Sequence, residues 1–153
     1  MAKLDLSLTD DELHDYLEEQ RTVRLATASP DGRPHVVPLW FVWVDETIFL
    51  NTTLGNLTVE QFMRNPQVAA VVDDGPSYEE LRGVVVHGLI ERADQDERLP
   101  EVRRRWSDKY MDGGPVPYDR WRNRVWLRLR PDRVTSWDFR KIPKAKARAA
   151  GAR

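Results

Sequence analysis

Residues 22–66 read TVRLATASPDGRPHVVPLWFVWVDETIFLNTTLGNLTVEQFMRNP, and this block decides the fold. Residues 22–28 alternate and are rich in β-formers, and Ser29-Pro30-Asp31-Gly32 is a turn signal. Residues 34–44 are apolar on both parities: Val36, Trp40, Val42 and Val44 on one, Val37, Leu39, Phe41 and Trp43 on the other. A strand with no polar face is covered on both sides, by core on one and by a partner or ligand on the other. Asp45-Glu46 turns the chain into a third strand, 47–52. That strand ends in a polar corner, Asn51-Thr52-Thr53-Leu54-Gly55-Asn56-Leu57-Thr58, which opens into a helix over 58–64 stopped by Asn65-Pro66. Hydroxyls, amides and a helix N-terminus converge there. Such a corner grips a phosphate with little formal charge, so a phosphorylated cofactor is the first ligand class expected.

The same reading extends in both directions. Upstream, Thr9-Asp10-Asp11-Glu12 has the form of a capping box, with Leu13, Tyr16 and Leu17 following at helical spacing; it predicts a helix over 9–20. Downstream, strands are expected at 67–73 and 84–91, a helix at 95–110 and a loop at 112–118. Val125, Leu127 and Leu129 alternate with polar or bulky residues in the next strand, and Pro131-Asp132 is read as a turn into a last one, 133–139. Residues 142–153 are basic with no buried-looking face and are expected to be a disordered tail. Six or seven short strands with helices at the edges predict a mainly β (α+β) chain. Its expected form is one antiparallel barrel domain over 1–141 with peripheral helices, followed by the tail.

Composition narrows the function. Lys and Arg number 24 against 25 Asp and Glu, so the whole chain has no pull toward nucleic acid or anionic membrane. The tail alone is basic, and it could give only salt-dependent, non-specific affinity for nucleic acid, an unlikely role. There is no cysteine, which removes disulfides, thiolate metal sites and a cysteine nucleophile. Three scattered histidines offer no ligand spacing, so no metal is expected. No P-loop, nucleophile elbow or dinucleotide fingerprint occurs. The acidic start lacks the apolar region of a secretory signal, and no run suits a membrane helix, so a cytoplasmic location is expected.

RLATASPDGRPHVVPLWF, the corner helix ending in Asn-Pro, LRGVVVHGLIE and RPDRVTSWDFRK occur in an order that resembles the pyridoxamine 5′-phosphate oxidase-like superfamily. The likeness runs from about residue 9 to residue 141 and is closest to the flavin- or deazaflavin-dependent oxidoreductases of actinobacteria. It implies a six-stranded split β-barrel acting as a homodimer, with a cofactor in each groove between subunits. The cofactor is FMN or the deazaflavin F420, with the likeness leaning to F420, and the substrate is a planar small molecule. The alternative is a non-catalytic protein that stores or senses a flavin, F420 or a tetrapyrrole on the same scaffold.

By resemblance, Pro38, Leu39, Trp40 and Phe41 lie along the ring system, and Thr52, Thr53, Asn56 and Thr58 take the phosphate end. Read from the residues alone, those four are more simply strand-end and cap residues, which Thr and Asn favour. Most relatives carry a lysine where Thr58 stands. Thr58 cannot neutralise a phosphate, so Arg24, Arg33, Arg64 or an arginine of a second subunit has to supply the charge. His35, Tyr78, Arg82, Trp137 and Arg140 are candidate rim residues, the last two approaching the neighbouring subunit's site by resemblance. Each has a plain structural alternative: a strand histidine, an ion-paired arginine, a packed aromatic ring. No catalytic acid or base is nominated.

Overall fold

A computed structural model describes residues 4–118 and 120–151. Six strands form a closed antiparallel barrel in the order β1-β2-β3-β6-β5-β4. They are β1 (Thr22–Ala28), β2 (Pro34–Val44), β3 (Thr47–Thr53), β4 (Gln67–Asp74), β5 (Arg82–Arg92) and β6 (Arg124–Asp138). Four helices accompany them: α1 (Asp10–Glu19), α2 (Leu57–Arg64), α3 (Leu99–Met111) and α4 (Ile142–Gly151).

Local chemistry accounts for the boundaries. Thr9 and Glu12 complete the capping box of α1. Asp45 and Glu46 both hold positive φ, the backbone of a two-residue hairpin turn, and link β2 to β3. Pro100 sits in the first turn of α3, where its missing N–H costs nothing, so the helix begins at Leu99 rather than at 95.

Two expectations need revision. The turn read at Pro131-Asp132 is absent, and β6 is one strand across it. A bulge absorbs the proline: Pro131 faces Gly88 and Arg133 faces His87, leaving Asp132 without an opposite number. A Cβ on Gly88 would collide with the Arg130 carbonyl, so the bulge requires glycine there. The expected disordered tail is drawn as helix α4 through Gly151, while Arg153 lies outside the described residues. Its alanines and long basic side chains favour a helix locally, whether or not a face is buried.

The barrel encloses Leu25, Phe41, Ile48, Leu50, Val84, Leu127 and Leu129, with Tyr16 and Leu17 of α1 and Phe62 of α2 packed into the same core. A second cluster lies outside the barrel, where Val102, Trp106 and Tyr110 of α3 cover Val42, Phe49 and Trp126. Trp106 is fully enclosed, and truncating such a residue to alanine costs about 3–5 kcal/mol.

The lengths of the strands position the site. β2 pairs with β1 through Trp40, and with β3 only from Phe41 onward, where Phe41 faces Leu50. Beyond Leu50, Asn51, Thr52 and Thr53 of β3 pair only with Trp126, Val125 and Arg124 of β6. A fork therefore opens between residues 34–40 of β2 and 51–53 of β3.

Candidate functional site

Alternation assigns the walls of the fork. Phe41, Leu50 and Val125 point into the core, so Trp40, Asn51, Thr53 and Arg124 point outward on one side of the barrel. Peptide groups alternate too. Phe41 N–H donates to Tyr110 Oη at 2.9 Å, and that hydroxyl lies 2.7 Å from both the Phe41 and Arg21 carbonyl oxygens. Arg21 precedes Thr22, the partner of Trp40, so the Phe41 peptide groups face β1. The N–H and C=O of Trp40 then face the opposite edge, the one β3 has left.

The two ends of the 38–41 segment thus differ. Trp40 is 45% exposed, and its indole stacks on Tyr110 with centroids 4.4 Å apart. Pro38 is exposed on the same face, while Leu39 points toward the core. Phe41 is buried and its peptide is taken by Tyr110. Burial raises the Tyr110 pKa, which keeps the phenol a neutral bridge between β1 and β2.

The polar corner also divides. Thr52 is 4% exposed and its hydroxyl accepts from Asn56 Nδ2 at 3.0 Å. Asn56 in turn caps α2, its Oδ1 accepting from Val59 N–H at 2.9 Å. Thr58 is 2% exposed in the first turn of the helix. The Thr52 and Asn56 side chains hold the corner together, and Thr58 is enclosed. Thr53 instead faces outward, opposite Arg124.

Arginines gather beside Thr53 that the sequence reading had not singled out. Arg120, Arg122 and Arg124 line a cleft with Thr53, Trp121 and Asn123. Of the compensating cations expected from sequence, Arg24 pairs with Asp73 at 2.5 Å on the surface. The signal for the cleft was the run Arg120-Trp121-Arg122-Asn123-Arg124, some 70 residues downstream of the corner it meets.

The rim candidates occupy another place. Arg82 forms a two-pronged pair with Asp74 at 2.8 and 2.9 Å, reaches Glu19 at 3.1 Å and lies over the Tyr16 ring. Trp137 lies against Gly83, where a Cβ would strike its indole. Arg140 pairs with Asp138 at 2.7 Å, and Tyr78 sits 5.1 Å from Phe139. His35 is half-buried opposite Thr27 on the β1–β2 ladder. Tyr78, Arg82, Trp137 and Arg140 therefore lie toward the C-terminal end of β6, whereas Arg124 begins that strand. Thirteen residue steps at about 3.3 Å each put the two ends roughly 40 Å apart along the strand. Among the described residues no group of His, Asp or Glu is arranged to hold a metal, and no helix is long and apolar enough to cross a membrane.

Residues 9–138, which hold all six strands of the barrel, match the pyridoxamine 5′-phosphate oxidase family. The chain belongs to that family. Among solved structures it is similar to the conserved hypothetical protein Rv2991 of Mycobacterium tuberculosis, at 30% identity over 94% of this chain and 92% of that one, with a TM-score of 0.81. A FAD-binding protein of Mesorhizobium loti shares 26% identity over 85% and 93% of the two chains, TM-score 0.67. An F420 reductase shares 28% over 79% and 94%, TM-score 0.58. No curated relative matches the chain.

A flavin-type group suits the residues of the fork, though not all those first nominated. The open edge at Trp40 offers a donor and an acceptor to a planar ring, and Thr53 with its arginines offers donors to an anionic chain. Phe41, Thr52 and Asn56 are engaged within the fold, and Thr58 is buried.

Proposed function

We propose that this family member is a flavin- or deazaflavin-dependent oxidoreductase acting on a planar small molecule as a homodimer. The observation that carries the reading is the fork: the unpaired peptide edge of Trp40 opens on the same side of the barrel as Thr53 and Arg124. The similar FAD-binding protein and F420 reductase support a cofactor of this kind. Such a group, when bound, supplies the hydride or electron transfer.

The chain's own residues bind and orient. Trp40, backed by Tyr110, gives the ring a rigid apolar face, and its N–H and C=O meet polar atoms at the ring edge. Thr53 and the arginines hold the anionic end. No side chain at the fork is nominated as acid or base, and proton exchange falls to solvent.

A second chain completes this site. The rim set Tyr78, Arg82, Trp137 and Arg140 stands at the end of β6 away from Arg124. The outer faces of β1, β2, β4 and β5 leave Val36 58% and Leu89 41% exposed, with Ala26, Ala69, Val71 and Val85 half-buried among them. An apolar sheet face of this extent favours association.

Titrating the purified protein with FMN, FAD and F420, followed by absorbance and fluorescence, tests the reading. Saturable binding and reoxidation of the reduced cofactor by a quinone or nitroaromatic acceptor are expected. No binding at high micromolar concentration defeats the redox assignment, and binding without turnover leaves a storage or sensing protein.

A further inference from the structure

The turn before β6 has the makings of an anion site. Thr53, Arg120, Trp121, Arg122, Asn123 and Arg124 line a cleft of about 270 Å³. Turn and corner are one unit, because Leu54 N–H donates to Asn123 O at 2.6 Å and Thr53 faces Arg124 across the ladder. Arg124 is fixed on two sides: it donates to Asn51 Oδ1 at 3.1 Å and stacks 4.4 Å from the Trp121 ring. A guanidinium has five N–H donors in a planar fork, so the bond to Asn51 leaves a face for a second oxyanion. Arg120 is exposed and makes no ion pair among the described residues.

Charge decides what this cleft takes. Arg120 and Arg124 bring two cations to its described lining, while Arg122 is already engaged in an interaction of its own. Like charges gathered round one hollow repel each other, and an anion placed among them relieves the repulsion. The arginines stand on the outer side of the barrel with Thr53 and Trp40. Resting on the cofactor reading above, we infer that Arg120 and Arg124, with Thr53, seat the phosphate ester of the ligand. The phosphate oxygens accept N–H bonds from the two guanidinium groups and the Thr53 hydroxyl, and no covalent change occurs at this end.

FMN and riboflavin, which differ by the phosphate alone, are the probes. Wild-type protein is expected to bind FMN at least about tenfold more tightly than riboflavin, the weight of one charge-assisted hydrogen bond. Arg120→Ala and Arg124→Gln should each remove most of that preference and leave riboflavin affinity unchanged. Equal affinity for the two flavins in the wild type, or a preference that survives both substitutions, overturns the site. Arg124 also steadies Asn51, so if Arg124→Gln fails to fold, the exposed Arg120→Ala carries the test. If neither flavin binds, the cofactor reading fails and the site is still judged by titrating pyrophosphate under NMR. Saturable shifts at the Thr53 and Leu54 amides that vanish in Arg120→Ala uphold it, and their absence overturns it.

Discussion

The Trp40 indole lies parallel to the Tyr110 ring, 4.4 Å between centroids and 6° between planes, so α3 backs the wall of the fork. The two residues do separable work. Trp40→Ala removes the stacking surface and should weaken flavin binding about three- to tenfold, and it should lower the quenching of tryptophan fluorescence on titration. Tyr110→Phe keeps the ring but leaves the buried Phe41 N–H and Arg21 carbonyl without their bridge. It should cost about 1–3 kcal/mol in urea unfolding and leave ligand affinity unchanged.

Lys109 gives a pH signature. Its Nζ donates to Leu17 O at 3.1 Å and sits 4.3 Å from the Phe41 ring centroid, and burial pushes its pKa down to about 8. Above that pH the folded protein holds Lys109 neutral while the unfolded chain stays protonated to about 10.4, so stability rises between pH 8 and 10. A gain of about 1–2 kcal/mol is expected after allowance for the solvent that still reaches the amine. Lys109→Met should flatten the profile when unfolding is measured at pH 7, 8, 9 and 10.

Asp96 should act in the opposite range. Its carboxylate is almost wholly enclosed, bonded to Arg98 at 2.9 Å and to Arg128 at 2.6 Å. Those guanidinium groups, Arg98 foremost, hold it well below the usual carboxylate range. The stabilisation is present above about pH 3.9 and is lost as pH falls toward the depressed value. Asp96→Asn should cost about 2 kcal/mol at pH 7, because both arginines keep partial access to water. The gap from wild type should narrow below pH 4, as thermal melts at pH 3 and 7 will show.

The exposed sheet face predicts the assembly. Val36→Glu with Leu89→Lys places charges on that face without touching the core. Sedimentation should show a dimer for the wild type and a monomer for the double variant, with unfolding by urea little changed per chain. A wild type that sediments as a monomer at tens of micromolar would sink the two-chain site.

Much of the barrel was legible because its signals are local. The capping box at Thr9, the Asp45-Glu46 hairpin and the stop at Asn65-Pro66 each act within a few residues. Pro131 misled because a proline in a strand reads as a break, and only the partner strand reveals that Gly88 makes room for a bulge. The tail misled for a related reason, since helix propensity needs no apolar face to show itself. In the site, the corner was visible but its division was not. Thr52 and Thr53 are adjacent and chemically identical, and only the direction of the strand decides that one closes the cap while the other meets Arg124. The arginine turn was hidden by distance, because the pairing of β3 with β6 brings it to the corner from the far end of the chain.

On the two-chain reading proposed above, β6 would carry one part of the site at each of its termini, and a two-fold pair would make the sites mutually dependent. A chain damaged at Arg124 spoils its own fork yet can lend an intact Trp137 end to its neighbour. A chain damaged at Trp137 does the reverse. Two inactive variants mixed before assembly would then complement each other, one sound site forming in each mixed dimer, for about a quarter of full activity. On that reading the working unit would be the pair of chains, not the single chain.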